Sequence, residues 1–252
     1  MKEFPQHLRH WRKARRLSQL NLALTADISA RHLSFLESGR SKPSKDMIMH
    51  LGEVLEVPLA AINGMLLAAG FAPQFGRTAL DDAAMAPVTK ALKWTLDRHT
   101  PYPGLALDRL WTIQSMNAPA EQLFAGLGLS QGDSLLDLMQ SPVMPEVIEN
   151  WPTVAHLSAL RLRAESAAAG GHPRLDQAAE FLMNKPAPET LPSGPAIPAI
   201  YRFGEVRLSL LGMISVFSSA NDETIDDLRL ELFYPEDAAT EAFLKNTSTA
   251  SA

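Results

Sequence analysis

Residues 18–40, SQLNLALTADISARHLSFLESGR, decide how the N-terminal part of the chain folds. Ser18 is a good N-cap, because its side-chain oxygen can accept from a backbone N–H that the first helical turn leaves unsatisfied. Gln19 to Ala26 follow as helix formers, with Leu20, Leu22, Ala23 and Leu24 among them. Asp27 and Ile28 break the run, and Ser29 can cap a second helix over 30–38. Gly39 ends that helix, since Gly enters the left-handed region without a Cβ penalty. At 100° per residue, Leu33 and Leu36 share one side of the second helix with Glu37 at its border. Arg31, Ser34, Phe35 and Ser38 cluster opposite. A guanidinium can donate bidentately to guanine O6 and N7, and an apolar ring can touch a thymine methyl. The stretch reads as two short helices joined by a tight turn, the second presented to DNA. The alternative, a buried helical hairpin without a DNA role, fits the basic outward face less well.

Working outward, Pro5 suits the first turn of a helix over 5–17 anchored by Leu8 and Trp11. Ser44 caps a helix over 45–56, Pro58 opens one over 58–69, and Gly70 closes it. Across residues 8–70 the motifs SQ, LA, IS, LSFLESGR and KPS resemble, in order and spacing, a Cro/XRE-type helix-turn-helix domain. The resemblance implies a five-helix bundle that binds double-stranded DNA. It marks Gln19, Ser29, Ala30, Arg31, Ser34, Phe35, Arg40 and Lys42 as candidate DNA-binding residues. It also implies that Arg12 pairs with Glu37, a carboxylate that the helical wheel sets beside the core and that therefore needs a partner. Arg9, Arg15 and Arg16 are left as freer cations for phosphates. Asp27 stands where that family often has Gly, and Asp tolerates the left-handed region better than most residues.

Charge separates the chain into two parts. Residues 1–45 hold ten Lys and Arg against three acids, a net +7, so the remaining 207 residues carry −12 of a total of −5. A basic module on an acidic one fits a nucleic-acid-binding head on a body that repels DNA. The absence of cysteine excludes disulfides, thiolate nucleophiles and cysteine-based zinc sites. Neither an apolar N-terminal run nor an 18-residue apolar run occurs, so a cytoplasmic protein without membrane association is expected.

Periodicity is lost over 71–87, FAPQFGRTALDDAAMAP. The expected organisation is a head over 1–72, a linker over 73–86 and a body over 87–252. In the body, a helix over 87–98 precedes a β-hairpin in GLALDRLWTIQSM, 104–116, with Asp108 and Arg109 at its turn. Helices follow at 118–124, 135–139, 146–168 and 173–184. The long one has Trp151, Val154, Leu157, Leu160 and Ala164 on one side. After a Pro-rich loop, 186–198, three strands are expected at about 197–203, 205–219 and 225–234. Five antiparallel strands with helices between the second and third give the topology of a PAS-like domain, so the chain is α+β with two domains.

PYPGLALDRLWTIQSMNAPAEQLF, SLLDLM and IENWPTVAHLSALRLRAE are similar to the ligand-binding half of MmyB-like transcription regulators. That resemblance implies a ligand-responsive regulator whose effector is fatty-acid-like. Enzymatic chemistry lacks a residue set: the seven His are scattered, and no HExxH, GxGxxG, P-loop or GxSxG occurs. Neither a cofactor nor a metal is expected. A PAS-like sheet and its long helix would enclose an apolar cavity with few polar groups. Candidate lining residues are Leu105, Leu107, Trp111, Ile113, Phe124, Leu157, Leu160, Tyr201, Met213 and Phe217, any of which could equally be ordinary core. Arg161, Arg163 and Arg202 are candidates for a ligand carboxylate. A homodimer reading two half-sites is expected; the alternative is a body that only dimerises or docks a protein partner.

Overall fold

The computed structural model describes residues 3–188 and 194–250, the side chains of 248–250 excepted. Lys2 and the centre of the Pro-rich loop, 189–193, lie outside the described residues. Contacts divide the chain into two compact units. The first is Met1–Thr78 with Ala164–His172 and Ala220–Asp226; the second is Ala79–Arg163 with Pro173–Ser219 and Asp227–Ala252. Two late segments thus join the N-terminal helices, which periodicity along the chain does not reveal.

The first unit carries α1 (Phe4–Ala14), α2 (Gln19–Thr25), α3 (Ala30–Ser38), α4 (Lys45–Val54) and α5 (Leu59–Ala69). Ser18, Ser29 and Ser44 each accept from a backbone N–H three residues on, at 3.0–3.1 Å, so three of the five helices start at a serine cap. Asp27 takes φ +50°, the left-handed conformation that the turn between α2 and α3 demands. Gly39 ends α3 at φ +74°. Leu8, Leu22, Leu33, Leu36, Ile48, Leu51 and Met65 are fully buried. Each such side chain contributes about 1.5–3 kcal/mol through removal from water.

The second unit opens with α6 (Ala86–His99), β1 (Gly104–Leu107), β2 (Ile113–Met116) and α7 (Ala118–Ala125). Short helices α8 (Leu135–Met139) and α9 (Met144–Val147) lead to α10 (Trp151–Ala168) and α11 (Pro173–Met183). Then come β3 (Ala199–Phe203), β4 (Val206–Val216), β5 (Arg229–Pro235) and α13 (Ala238–Ala250), while α12 (Glu223–Asp227), between β4 and β5, belongs to the first unit up to Asp226. The sheet is antiparallel throughout, in the order β2-β1-β5-β4-β3. One face packs Leu105, Leu107, Tyr201, Leu210 and Phe233 against the helices between β2 and β3. The other packs Ala106, Leu228, Leu230 and Leu232 against Leu92 and Leu96 of α6.

Several boundaries differ from the expected ones. The long helix starts at Trp151, because Ile148 and Glu149 run extended and bridge to Tyr201 and Ile200 of β3. Its buried side is Trp151, Ala155, Ala159 and Leu162, whereas Leu160 is 46% exposed. Apolar residues are spread around this helix among polar ones such as His156, Arg161, Arg163 and Glu165, so a stripe of large residues does not identify the face in close contact, where Ala155 and Ala159 sit with Trp151 and Leu162. The last expected strand begins at Arg229, since Asp222 accepts from the backbone N–H of Thr224 at 2.8 Å and starts a helical turn first. Helix α13 follows an Asp237 that accepts from the N–H of Thr240 at 2.7 Å. Among the described residues no helix is long and apolar enough to cross a membrane.

Candidate DNA interface and ligand cavity

Helix α3 presents Ala30 and Arg31 to solvent, with Ser34 and Phe35 half-buried beside them. The Arg31 guanidinium lies over the Phe35 ring at 5.3 Å and that of exposed Arg40 at 5.9 Å. A ring between two guanidinium groups holds both near one face by cation–π attraction. Lys42 is exposed in the loop after the helix. Ser29 has its hydroxyl committed to the cap. Gln19 is exposed, but its amide donates to Glu37 Oε2 at 2.6 Å, which fixes its orientation. The eight candidate contacts therefore fall into a central Arg31–Phe35–Arg40 group, Ala30 and Ser34 beside it, a flanking Lys42, and Ser29 and Gln19 with structural duties.

Arg12 meets Glu37 through two bonds, Nε to Oε1 at 2.5 Å and Nη2 to Oε2 at 2.9 Å. Its third branch donates to Leu17 O at 2.8 Å. Burial alone would raise the Glu37 carboxyl. The bonds from Arg12 and Gln19, with the charges of Arg12 and Arg9, hold it below the usual carboxylate range.

Two arginines expected to be free for phosphates are not. Arg9 donates to the Glu37 carbonyl. Arg15 donates to the carbonyls of Leu55, Glu56, Ala167 and Ala168 at 2.7–3.1 Å. Those carbonyls sit at the ends of α4 and α10, where helices leave acceptors unpaired and where a cation also opposes the helix dipole. Gly170 completes this corner: a Cβ there would stand 2.6 Å from the Trp11 ring. Sequence reading had no signal for the contacts of Arg15 with Ala167 and Ala168 or of Trp11 with Gly170, because all of them join residues more than 150 positions apart.

In the second unit a cavity of about 250 Å³ lies between the sheet and α7–α10. Trp111, Phe124, Leu157, Arg161 and Tyr201 line it, among the residues singled out from sequence. Leu105, Leu107 and Ile113 are instead buried in the adjoining core. Leu160 and Met213 are largely exposed, and Phe217 packs on the α6 face of the sheet. Of the three candidate arginines, Arg163 is exposed on α10, and Arg202 is exposed and bound to Glu149. Only Arg161 reaches the cavity, where it donates to Glu231 Oε1 at 2.9 Å and lies 4.3 Å over Trp111. Sequence reading missed Glu231, an acid inside the alternating strand DLRLELFY, because alternation assigns a face and not a cavity. Burial, and then the negative charge of Glu231, push the Tyr201 phenol above its ordinary pKa, so it remains a neutral donor. A larger apolar cavity of about 440 Å³, between α7, β3–β4 and α13, has Thr and Gln as its polar residues and no charged side chain among the described residues.

Comparison with protein families matches these two constructions. A helix-turn-helix model covers residues 8–62, and the MmyB-like transcription regulator ligand binding domain covers 88–246. The second match spans more than half of the chain, which therefore belongs to the MmyB-like transcription regulators. A helix-turn-helix joined to this ligand-binding domain is the make-up of a ligand-responsive transcription regulator. No curated protein matches the chain.

Proposed function

We propose that the protein binds a palindromic operator as a homodimer and changes its hold on DNA when an acyl-chain-like molecule enters the cavity beside α10. The observation that carries this reading is one chain holding both an outward Arg31–Phe35–Arg40 face and a mostly apolar cavity that contains the Arg161–Glu231 pair. The protein catalyses no reaction in this reading, works in the cytoplasm, and needs neither cofactor nor metal. Dimers of helix-turn-helix heads read half-sites about 34 Å apart. Support for a second copy comes from β4. Residues 212–216 are exposed and uncharged, and β3 pairs only as far as Leu210, so among the described residues no strand covers their outer edge. An open, uncharged strand edge favours pairing with its like.

Operator binding tests the head directly. Arg31→Ala should lose ~1–3 kcal/mol and relax preference at one base pair, while Lys42→Ala weakens all sequences alike and flattens the salt slope by about one charge. An Arg31→Ala protein with unchanged operator preference would sink the face assignment. Titrating a saturated C10 acyl compound with and without operator tests the switch. By linkage, DNA and effector must alter each other's affinity by the same factor. Equal binding in both cases would leave a ligand site without a switch.

A further inference from the structure

Among the described residues, Arg161 and Glu231 are the two charged side chains lining the cavity beside α10. Their contact at 2.9 Å is an ion pair within the wall. Trp111 lies over the guanidinium, which limits how far Arg161 can swing to meet a ligand elsewhere. Gly212 stands opposite Phe233 on the neighbouring strand, and a Cβ there would be 3.7 Å from Glu231 Oε1, so the glycine leaves room beside the carboxylate. Around the pair the lining is aliphatic and aromatic, with Ser158 and Tyr201 as its neutral polar groups.

A ligand carboxylate entering this wall would place a second anion on a guanidinium already occupied by Glu231. In a poorly solvated site, two carboxylates sharing one cation repel, and a group left without its countercharge is costly to bury. An uncharged head group with both an acceptor and a donor meets neither penalty. Its carbonyl can accept from Arg161 while its N–H donates to Glu231, and the ion pair persists. We propose that Glu231 is a specificity-determining residue that makes this cavity select uncharged carboxamides of acyl chains over the free acids. This rests on the reading of the cavity as the effector site, and it narrows the effector class.

The test uses the full-length protein and two probes of equal chain length, decanamide and decanoate, titrated at pH 8 with Trp fluorescence and calorimetry as readouts. The wild type should bind the amide ~10-fold or more tightly than the acid, the scale set by like-charge juxtaposition. In Glu231→Gln the acid should gain ~10-fold, because the like charge of Glu231 no longer faces the ligand carboxylate. Tighter binding of decanoate than of decanamide by the wild type would overturn the proposal while leaving the cavity as an effector site. Binding of neither probe would overturn the effector-site reading itself, and the proposal with it. Should Glu231→Gln fail to fold, the wild-type preference still decides.

Discussion

Glu37 in the first unit and Glu231 in the second both face an arginine, at 2.5 Å from Arg12 and 2.9 Å from Arg161. Their surroundings differ. The Glu37 carboxylate takes two bonds from Arg12 and one from Gln19, and its side chain is 2% exposed. Glu231 takes one bond from Arg161, whose side chain is 26% exposed, and it borders an open cavity. Removal of either partner from a fully hydrogen-bonded buried pair leaves an uncompensated charge. A pair that touches open space can exchange a partner for water or a ligand. Chemistry of the same kind is thus structural where every acceptor is filled, and available for recognition where one side is left open.

The largest effect that could break this comparison is in the head. Glu37→Ala should cost ~3–5 kcal/mol in urea denaturation of the full chain, by stranding Arg12. A loss below about 1 kcal/mol would place this pair with ordinary surface pairs. Glu37 also sets a pH dependence. Its folded carboxyl titrates below the usual range, so in acid the unfolded chain binds more protons than the folded one. The stability it contributes is complete above the usual carboxylate range and is lost as pH falls through the depressed folded value. The gap between wild type and Glu37→Gln should therefore close in acid; a constant gap would count against the pairing.

A smaller effect tests how the head is closed. Gly170 has φ +81° and lies against Trp11, whereas Gly171 has φ +98° with no atom near its missing Cβ. Gly170→Ala should cost ~2–4 kcal/mol, from left-handed strain plus overpacking, and Gly171→Ala only the ~1–2 kcal/mol of strain. Equal losses would mean that the 164–172 segment does not support α1.

Local chemistry made much of this legible in advance. Serine caps, Gly39 and the apolar positions of α1–α5 mark the head helices, because each signal lies within a few residues of what it specifies. The Arg12–Glu37 pairing came from the resemblance together with a wheel that put a carboxylate at the core border. Five antiparallel strands, with helices between the second and third, followed from alternation and helix placement. Contacts between distant residues carried no such mark: Arg15 with the end of α10, and Asn63 with Glu223 at 2.6 Å, join segments that no periodicity relates. In α10 the large residues Leu157 and Leu160 look alike in sequence, yet the first lines the cavity and the second is exposed. Close approach to the sheet selects Ala155 and Ala159 for the core, and side-chain size alone points the wrong way.

The smallest expected effect sharpens the comparison most. Arg161→Met with Glu231→Gln removes both charges of the cavity pair and keeps similar side-chain volumes. Neutral replacement of both partners of an ion pair is often close to neutral in stability, because the desolvation cost of the charges disappears with their attraction. The double variant should stay within about 1 kcal/mol of the wild type in urea denaturation, well short of the Glu37→Ala loss. Its ligand binding should change in character, with selection between decanamide and decanoate lost, since neither charge of the pair remains to read the head group. A double variant as destabilised as Glu37→Ala would show that Arg161 and Glu231 hold the sheet to α10 as a structural strut. The difference between the two pairs would then be one of exposure alone.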